Sequence, residues 1–335
     1  ACQNKDASAP TPVAPSVVPA PVEPAAPTPV EPLEPTPRGL PEMNIPAENV
    51  MSADKVALGK ALFFDQRLSK DDSTSCQSCH QHELGWADGR AFAPKVGGAM
   101  NTRNAPSLYN VGYQKAFYWD GRAATLEDNV LAAWKANMGA DPDAIAAKLA
   151  TRPEYNAQFR AVFGAEPSGA HIVSALAAFV RTLKSGNSPW DKYEAGETDA
   201  LSAVAVAGAK LFTGKAQCSL CHAPPLYFDT LYHNVGIGSD KPEPDIGRGK
   251  IDPQAPGAFR TPSLRSVAKT APYFHDGSVS TLAEAVKLMS QGGIANPHRD
   301  PKLKPVKLSD KELAQLVAFL TALSRDEDFH PPALP

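Results

Sequence analysis

The chain has no strong excess of charge of either sign. Its 33 Lys and Arg face 36 Asp and Glu, a formal net charge of −3, so no global basic field argues for a nucleic-acid partner. No run reaches the roughly 18 apolar residues that a membrane-spanning helix needs. Alternating apolar and polar residues are scarce, which argues against a sheet-rich fold. Cysteine is limited to five residues. Four of them, Cys76, Cys79, Cys218 and Cys221, fall into two C-x-x-C pairs, so a general disulfide framework is not expected. What remains is a chain of 335 residues, 43% hydrophobic, enough for about two domains with real cores.

Proline is concentrated at the start. Thirteen of the 33 prolines precede Glu48, interspersed with Ala, Val, Thr, Ser and Glu. Proline fixes φ and removes backbone donors, so residues 1–47 are expected to be a disordered, extended spacer of polyproline character. Ala1-Cys2 looks like the remnant of a bacterial lipoprotein signal. Cys2 would then be lipidated and would tether the protein to a membrane facing the periplasm.

Beyond residue 48 the sequence repeats itself. The first half reads Gly59-Lys-Ala-Leu-Phe63, Cys76-Gln-Ser-Cys79-His80, Arg103-Asn-Ala-Pro-Ser-Leu108, Tyr118-Trp-Asp-Gly-Arg122, Thr125-Leu-Glu-Asp128 and Ala178-Phe-Val-Arg-Thr-Leu183. The second half keeps the order with Gly208-Ala-Lys-Leu-Phe212, Cys218-Ser-Leu-Cys221-His222, Arg260-Thr-Pro-Ser-Leu264, Tyr273-Phe-His-Asp-Gly277, Thr281-Leu-Ala-Glu284 and Ala318-Phe-Leu-Thr-Ala-Leu323. Six blocks in one order predict a mainly α fold of two domains related by duplication, over 48–193 and 194–335. Thr125, Thr281 and Ser309 each stand three residues before an acidic residue, a helix-capping pattern. His171–Leu183 carries Ile172, Leu176, Phe179 and Leu183 at helical spacing.

The C-x-x-C-H motif attaches c-type haem. Two thiols at this spacing reach the two vinyl groups of one porphyrin, and the following histidine coordinates the iron. Cys76, Cys79 and His80 would hold one haem, and Cys218, Cys221 and His222 a second. A four-cysteine zinc site would place its pairs about 15–20 residues apart, not in separate domains. A thioredoxin-like pair needs neither the adjacent histidine nor a second copy. Methionine paired with histidine raises a haem's potential, whereas an open position favours peroxide or dioxygen chemistry. Met289, on the helix opened by Thr281, is a candidate sixth ligand. The first half has no methionine at the comparable helix position.

With these blocks in place, the chain resembles the bacterial di-haem cytochrome c peroxidase and MauG family from about residue 48 to 329. The motifs that carry the resemblance are the paired C-x-x-C-H, Arg103-Asn-Ala-Pro106, Trp119-Asp-Gly121, Pro272-Tyr-Phe-His-Asp-Gly277 and the Met289 helix. The resemblance implies two cytochrome c-like helical domains. The haem on His80 would be the low-potential site where peroxide reacts. The haem on His222 and Met289 would be the high-potential site that receives electrons. Trp119 would couple the two, and His275 would lie near a haem propionate. A calcium ion between the domains would be held by the Asn104 side chain and the carbonyls of Thr270 and Pro272, hard oxygen donors that suit it.

Two departures from the family matter. The loop Glu83–Thr102 lacks the histidine that closes the peroxidatic iron in many members. His82 is too close to His80 to reach the opposite face, and Met100 is the only other candidate there. An open or water-bound iron is therefore expected, as in MauG-type enzymes. The family's distal glutamate is matched by Asn137, and its distal glutamine by Asn129. Asparagine can hydrogen-bond peroxide but cannot exchange protons near neutral pH, so Glu127 is a further candidate base. The implied activity is a periplasmic peroxidase reducing hydrogen peroxide with electrons from a small cytochrome c or cupredoxin. The alternatives are a MauG-like enzyme that oxidises aromatic residues of a partner protein, and a di-haem electron carrier without turnover. Members of the family are often homodimers, although the sequence shows no dimer face.

Overall fold

The Ser52 hydroxyl accepts the amide of Lys55 and opens the first helix, α1 (Ala53–Phe64). The same device recurs at most helix starts, because a side-chain oxygen satisfies an amide that has no partner within the helix. Thr125 caps α2 (Leu126–Met138). Pro142 and Pro153 stand in the first turns of α3 (Pro142–Ala150) and α4 (Pro153–Phe163), where a missing N–H costs nothing. Ser168 caps α5 (Gly169–Thr182), and Ser188 and Asp191 form a capping box for α6 (Pro189–Glu194). The second half contains α7 (Ala203–Thr213), α8 (Leu282–Ser290) and α9 (Asp310–Ala322). The boxes Thr281/Glu284 and Ser309/Glu312 are both formed. The computed structural model describes residues 33–325 and 329–335. Among them the only sheet is the antiparallel pair β1 (Tyr232–His233) and β2 (Phe259–Arg260). The fold is mainly helical, as expected, and no helix among the described residues is long and apolar enough to cross a membrane.

Two apolar cores lie within the compact unit of residues 32–335. The first gathers Leu62, Phe63, Trp86, Trp134, Phe159 and Leu176. The second gathers Phe212, Tyr227, Leu316, Phe319 and Leu323. Each is organised by a pair of helices crossing at a glycine. A Cβ on Gly59 of α1 would lie 1.9 Å from the carbonyl oxygen of Ala175 on α5. A Cβ on Gly208 of α7 would lie 1.9 Å from that of Gln315 on α9. Real atoms cannot approach so closely, so glycine is what allows these backbones to touch.

Two features cut across the boundaries expected from composition. Residues 33–47 were counted with the spacer, yet the carbonyl of Gly39 accepts Arg265 Nη2 at 2.8 Å and that of Arg38 accepts the Asn187 amide at 2.8 Å. Arg265 also forms a buried bidentate pair with Asp191 at 2.8 and 2.9 Å, which fixes the strap against both helix α6 and the loop after β2. Cys2 and the rest of the expected spacer lie outside the described residues. The C-terminal tail, counted with the second domain, returns to the first core, where Phe329 packs edge-on against Trp86.

Candidate active site

His80 and His222 present the same chemistry twice. The Nδ1 atom of His80 lies 2.9 Å from the carbonyl oxygen of Trp86, and that of His222 lies 3.0 Å from the carbonyl oxygen of Tyr227. A carbonyl can only accept, so Nδ1 carries the proton and Nε2 keeps its lone pair. Burial lowers the pKa of both rings and holds them in the neutral form that binds iron. The neighbouring thiols are poor candidates for thiolate chemistry: burial pushes Cys76 up to about 12 and Cys218 up to about 11.

The second half encloses a cavity lined by Cys218, Cys221, His222 and, from α8, Met289. Trp119 and His275 reach the same cavity. They occupy equivalent turns of the two halves, each following an aromatic residue in the left-handed region, Tyr118 at φ 65° and Phe274 at φ 69°. Side chains with a Cβ rarely adopt that conformation, and here it points Trp119 and His275 inward. The Trp119 indole donates to the Asn104 carbonyl at 2.9 Å, and the Trp119 carbonyl accepts the Arg260 amide at 2.8 Å. His275 stacks on Phe259 with ring centroids 3.7 Å apart. Burial takes its pKa down to about 4, so it is neutral near pH 7.

Arg260 tests whether this cavity suits a haem. Its guanidinium is buried, lines the cavity and donates only to the carbonyls of Tyr118 and Thr261. No carboxylate within ion-pair distance of it is found among the described residues. A buried cation without a counter-ion is costly, and desolvation lowers its pKa to about 10. A haem brings propionates, so the donor set fits: thiols, a neutral imidazole, a thioether and an unpaired guanidinium around one apolar space. Arg103, at the equivalent repeat position, is by contrast saturated by Asp120 at 2.7 Å and Asp245 at 2.6 Å.

The expected distal residues all lie on α2 but are engaged differently. Glu127 has both carboxylate oxygens on Arg181, at 2.7 and 2.9 Å, and a further bond from the Asn49 amide at 2.7 Å. Burial would raise its pKa, but these donors outweigh it and the net shift is downward. An anion so committed is a poor proton carrier, which departs from its expectation as a base. Asn137 is half-buried near the end of the helix, its carbonyl accepting the Val96 amide at 2.8 Å. The carbonyl of Asn129 accepts the Tyr118 hydroxyl at 3.3 Å. Met100 is 53% exposed, and His82 packs against Phe329.

Around the expected calcium position, the Asn104 amide nitrogen donates to the Arg90 carbonyl at 2.7 Å, which presents its oxygen the other way. The Thr270 hydroxyl donates back to Val267 at 3.0 Å. The left-handed turn at Gly85 brings the first half against Thr270, where a Cβ would be 2.9 Å from the Thr270 methyl. A separate trio, Cys221, Asp229 and His233, has ligand atoms within 4.8 Å of one another. His233 is bonded to Asp300 at 2.5 Å and Asp229 at 2.8 Å. An imidazole with a carboxylate on each nitrogen is an imidazolium and has no lone pair for a metal.

A family model described as di-haem cytochrome c peroxidase matches residues 53–199. The methylamine utilization protein MauG of Methylorubrum extorquens is 40% identical over 84% of this chain and 81% of its own length. The chain belongs to the di-haem cytochrome c peroxidase family. A cytochrome-c peroxidase, IdrP1, of Denitromonas iodatirespirans is 38% identical over 86% of each chain. The crystal structure of a MauG-like protein associated with microbial copper homeostasis superposes with a TM-score of 0.75, at 34% identity, over 87% of this chain and 93% of that one. As a member of this di-haem peroxidase family the protein is an oxidoreductase acting on peroxide, with two c-type haems as its cofactors.

Sequence reasoning did not single out Arg260, His233 or Asp88. Arg260 was visible as the repeat partner of Arg103, but its lack of a counter-ion is a three-dimensional property. Asp88 is buried, with one carboxylate oxygen unpartnered, and it bears electrostatically on Cys79 and His80.

Proposed function

We propose that the protein is a periplasmic peroxidase that reduces hydrogen peroxide to water with electrons from a small cytochrome c or cupredoxin. The observation that carries this reading is the cavity shared by His222, Met289 and Trp119, since a Met/His pair suits electron entry. The halves at 48–193 and 194–335 are duplicated haem domains, a reading supported by the matching glycine crossings and histidine–carbonyl pairs. Cys76, Cys79 and His80 hold the N-terminal haem; Cys218, Cys221, His222 and Met289 hold the C-terminal one. The haems supply one-electron redox chemistry.

Reducing one peroxide to two waters consumes two electrons and two protons. Trp119, bonded to the first half through Asn104 and to the second through Arg260, is placed to couple the two sites. Asn137 orients peroxide by hydrogen bonding, with Asn129 one face away on the same helix, and the protons come from solvent because neither amide titrates. Glu127 holds α2 against α5 through Arg181. Asn104 and the carbonyls of Thr270 and Pro272 would hold calcium, and His275 would lie near a haem propionate. Cys2 tethers the chain as a lipoprotein.

The test is peroxide-dependent oxidation of a reduced small cytochrome by the di-haem protein. Repeated turnover is expected; its absence, with a spectrum that still responds to peroxide, overturns the reading. A MauG-like oxidation of aromatic residues on a partner protein is the second reading. It is favoured by the loop Glu83–Thr102, which has no histidine and whose Met100 faces solvent. Oxidised residues on a co-purified partner would select it.

A further inference from the structure

The rim of the C-terminal cavity carries a charge opposite to that of the protein. The formal net charge of the chain is −3. Yet residues 297–307 contain Arg299, Lys302, Lys304 and Lys307 against Asp300 alone, four positive charges to one negative. Asp300 is already committed to the His233 imidazolium. Lys302, Lys304 and Lys307 are exposed and form no ion pair among the described residues.

Their placement is fixed by the cavity wall. Leu303, Val306 and Leu308 line the cavity, as do the exposed Lys302 and Lys304. The Val306 amide donates to the Ser290 carbonyl at 2.7 Å, which fastens the basic segment beside Met289. Pro301 and Pro305 stiffen it. Leu220 stands between the two haem-binding cysteines of the second motif, lines the same cavity and is 51% exposed. An exposed apolar residue at the motif, on the same cavity as two exposed lysines without ion pairs among the described residues, matches an interface that combines an apolar contact with complementary charge.

We infer that the electron donor is an acidic small redox protein, which docks over Leu220 with its negative rim on Lys302, Lys304 and Lys307. This rests on the reading that electrons enter at the C-terminal haem. Complementary charge at such a mouth raises association rates by about tenfold to a thousandfold, and salt removes the gain.

The test is stopped-flow reduction of the oxidised full-length di-haem protein, without peroxide, by a reduced small cytochrome c of net negative charge and by one of net positive charge. The acidic donor is expected to be at least about tenfold faster at low salt, and to slow as ionic strength rises. In K302E/K304E/K307E, its rate should fall at least about tenfold further than the rate of reduction by hydroquinone. Equal rates for the two donors, a preference for the basic one, a rate indifferent to salt, or an unchanged triple variant overturns the inference. Peroxide turnover with hydroquinone is read separately, so that a failed peroxidase reading leaves the docking result standing on its own data.

Discussion

The main-chain carbonyl of Trp119 accepts the amide of Arg260 at 2.8 Å, and both side chains line the same cavity. One bond thus joins the first half's tryptophan turn to the β1–β2 strand pair of the second half. It places an aromatic ring and an unpaired cation on a single wall.

Arg260 is the first point to test. A buried cation beside a haem favours its reduced, more negative state. Arg260→Leu should lower the midpoint potential of the C-terminal haem by about 60 mV or more, a tenfold change for one electron, whereas Arg260→Lys should recover most of it. Redox titration of the di-haem protein reads this directly. An unchanged potential in Arg260→Leu would place the guanidinium away from the propionates.

Met289 is the second. Replacing it with histidine should lower the potential of the same haem, because thioether ligation favours the reduced iron. Electron uptake from a small cytochrome should slow in parallel, while the N-terminal haem keeps its spectrum. If both haems keep their potentials, Met289 is a core residue of α8.

Much of this was legible in the sequence, and the reasons differ by residue. The cysteines and histidines of the two motifs carry their chemistry in their spacing. Thr125, Thr281 and Ser309 announced their helices because capping is local. The engagement of Glu127 was not legible, because its partners, Arg181 and Asn49, are distant in sequence, and no local pattern reveals a bidentate pair. The prolines of residues 1–47 describe a spacer, but Gly39 within it is held by Arg265, more than two hundred residues away. Composition describes the backbone's options and not the surface that later claims it.

The clasp at Arg103 predicts a pH dependence. Burial would raise the Asp245 pKa, but donors from Arg103 and the Gly247 amide outweigh it and hold the carboxyl far below its usual range. A depressed folded pKa contributes stability that is full above the unfolded value near 4 and is lost as pH falls toward the folded one. Asp245→Asn should therefore cost about 1 kcal/mol at neutral pH, allowing for partial solvent screening, and should flatten the loss of stability below about pH 4. Denaturant titrations at a series of pH values would show it. Parallel curves for the two proteins would mean that Asp245 is not the group responsible.

Asn137 carries the last prediction. Peroxide cleavage requires a proton to leave one oxygen and reach the other, and an amide cannot do this near neutral pH. If Asn137 faces peroxide, then Asn137→Glu supplies a titratable group there, and general acid–base catalysis is worth about a hundredfold or more. Turnover should rise at least tenfold and acquire a dependence on one ionisation, with Asn137→Gln as the control that changes length without adding a proton site. Glu127→Gln is expected to act otherwise: it weakens the Arg181 pair and costs stability, on the order of 2 kcal/mol, with peroxide turnover following the fraction folded. A rise with Asn137→Gln equal to that with Asn137→Glu would assign the effect to shape. A specific loss of turnover in a fully folded Glu127→Gln protein would return the acid–base role to Glu127.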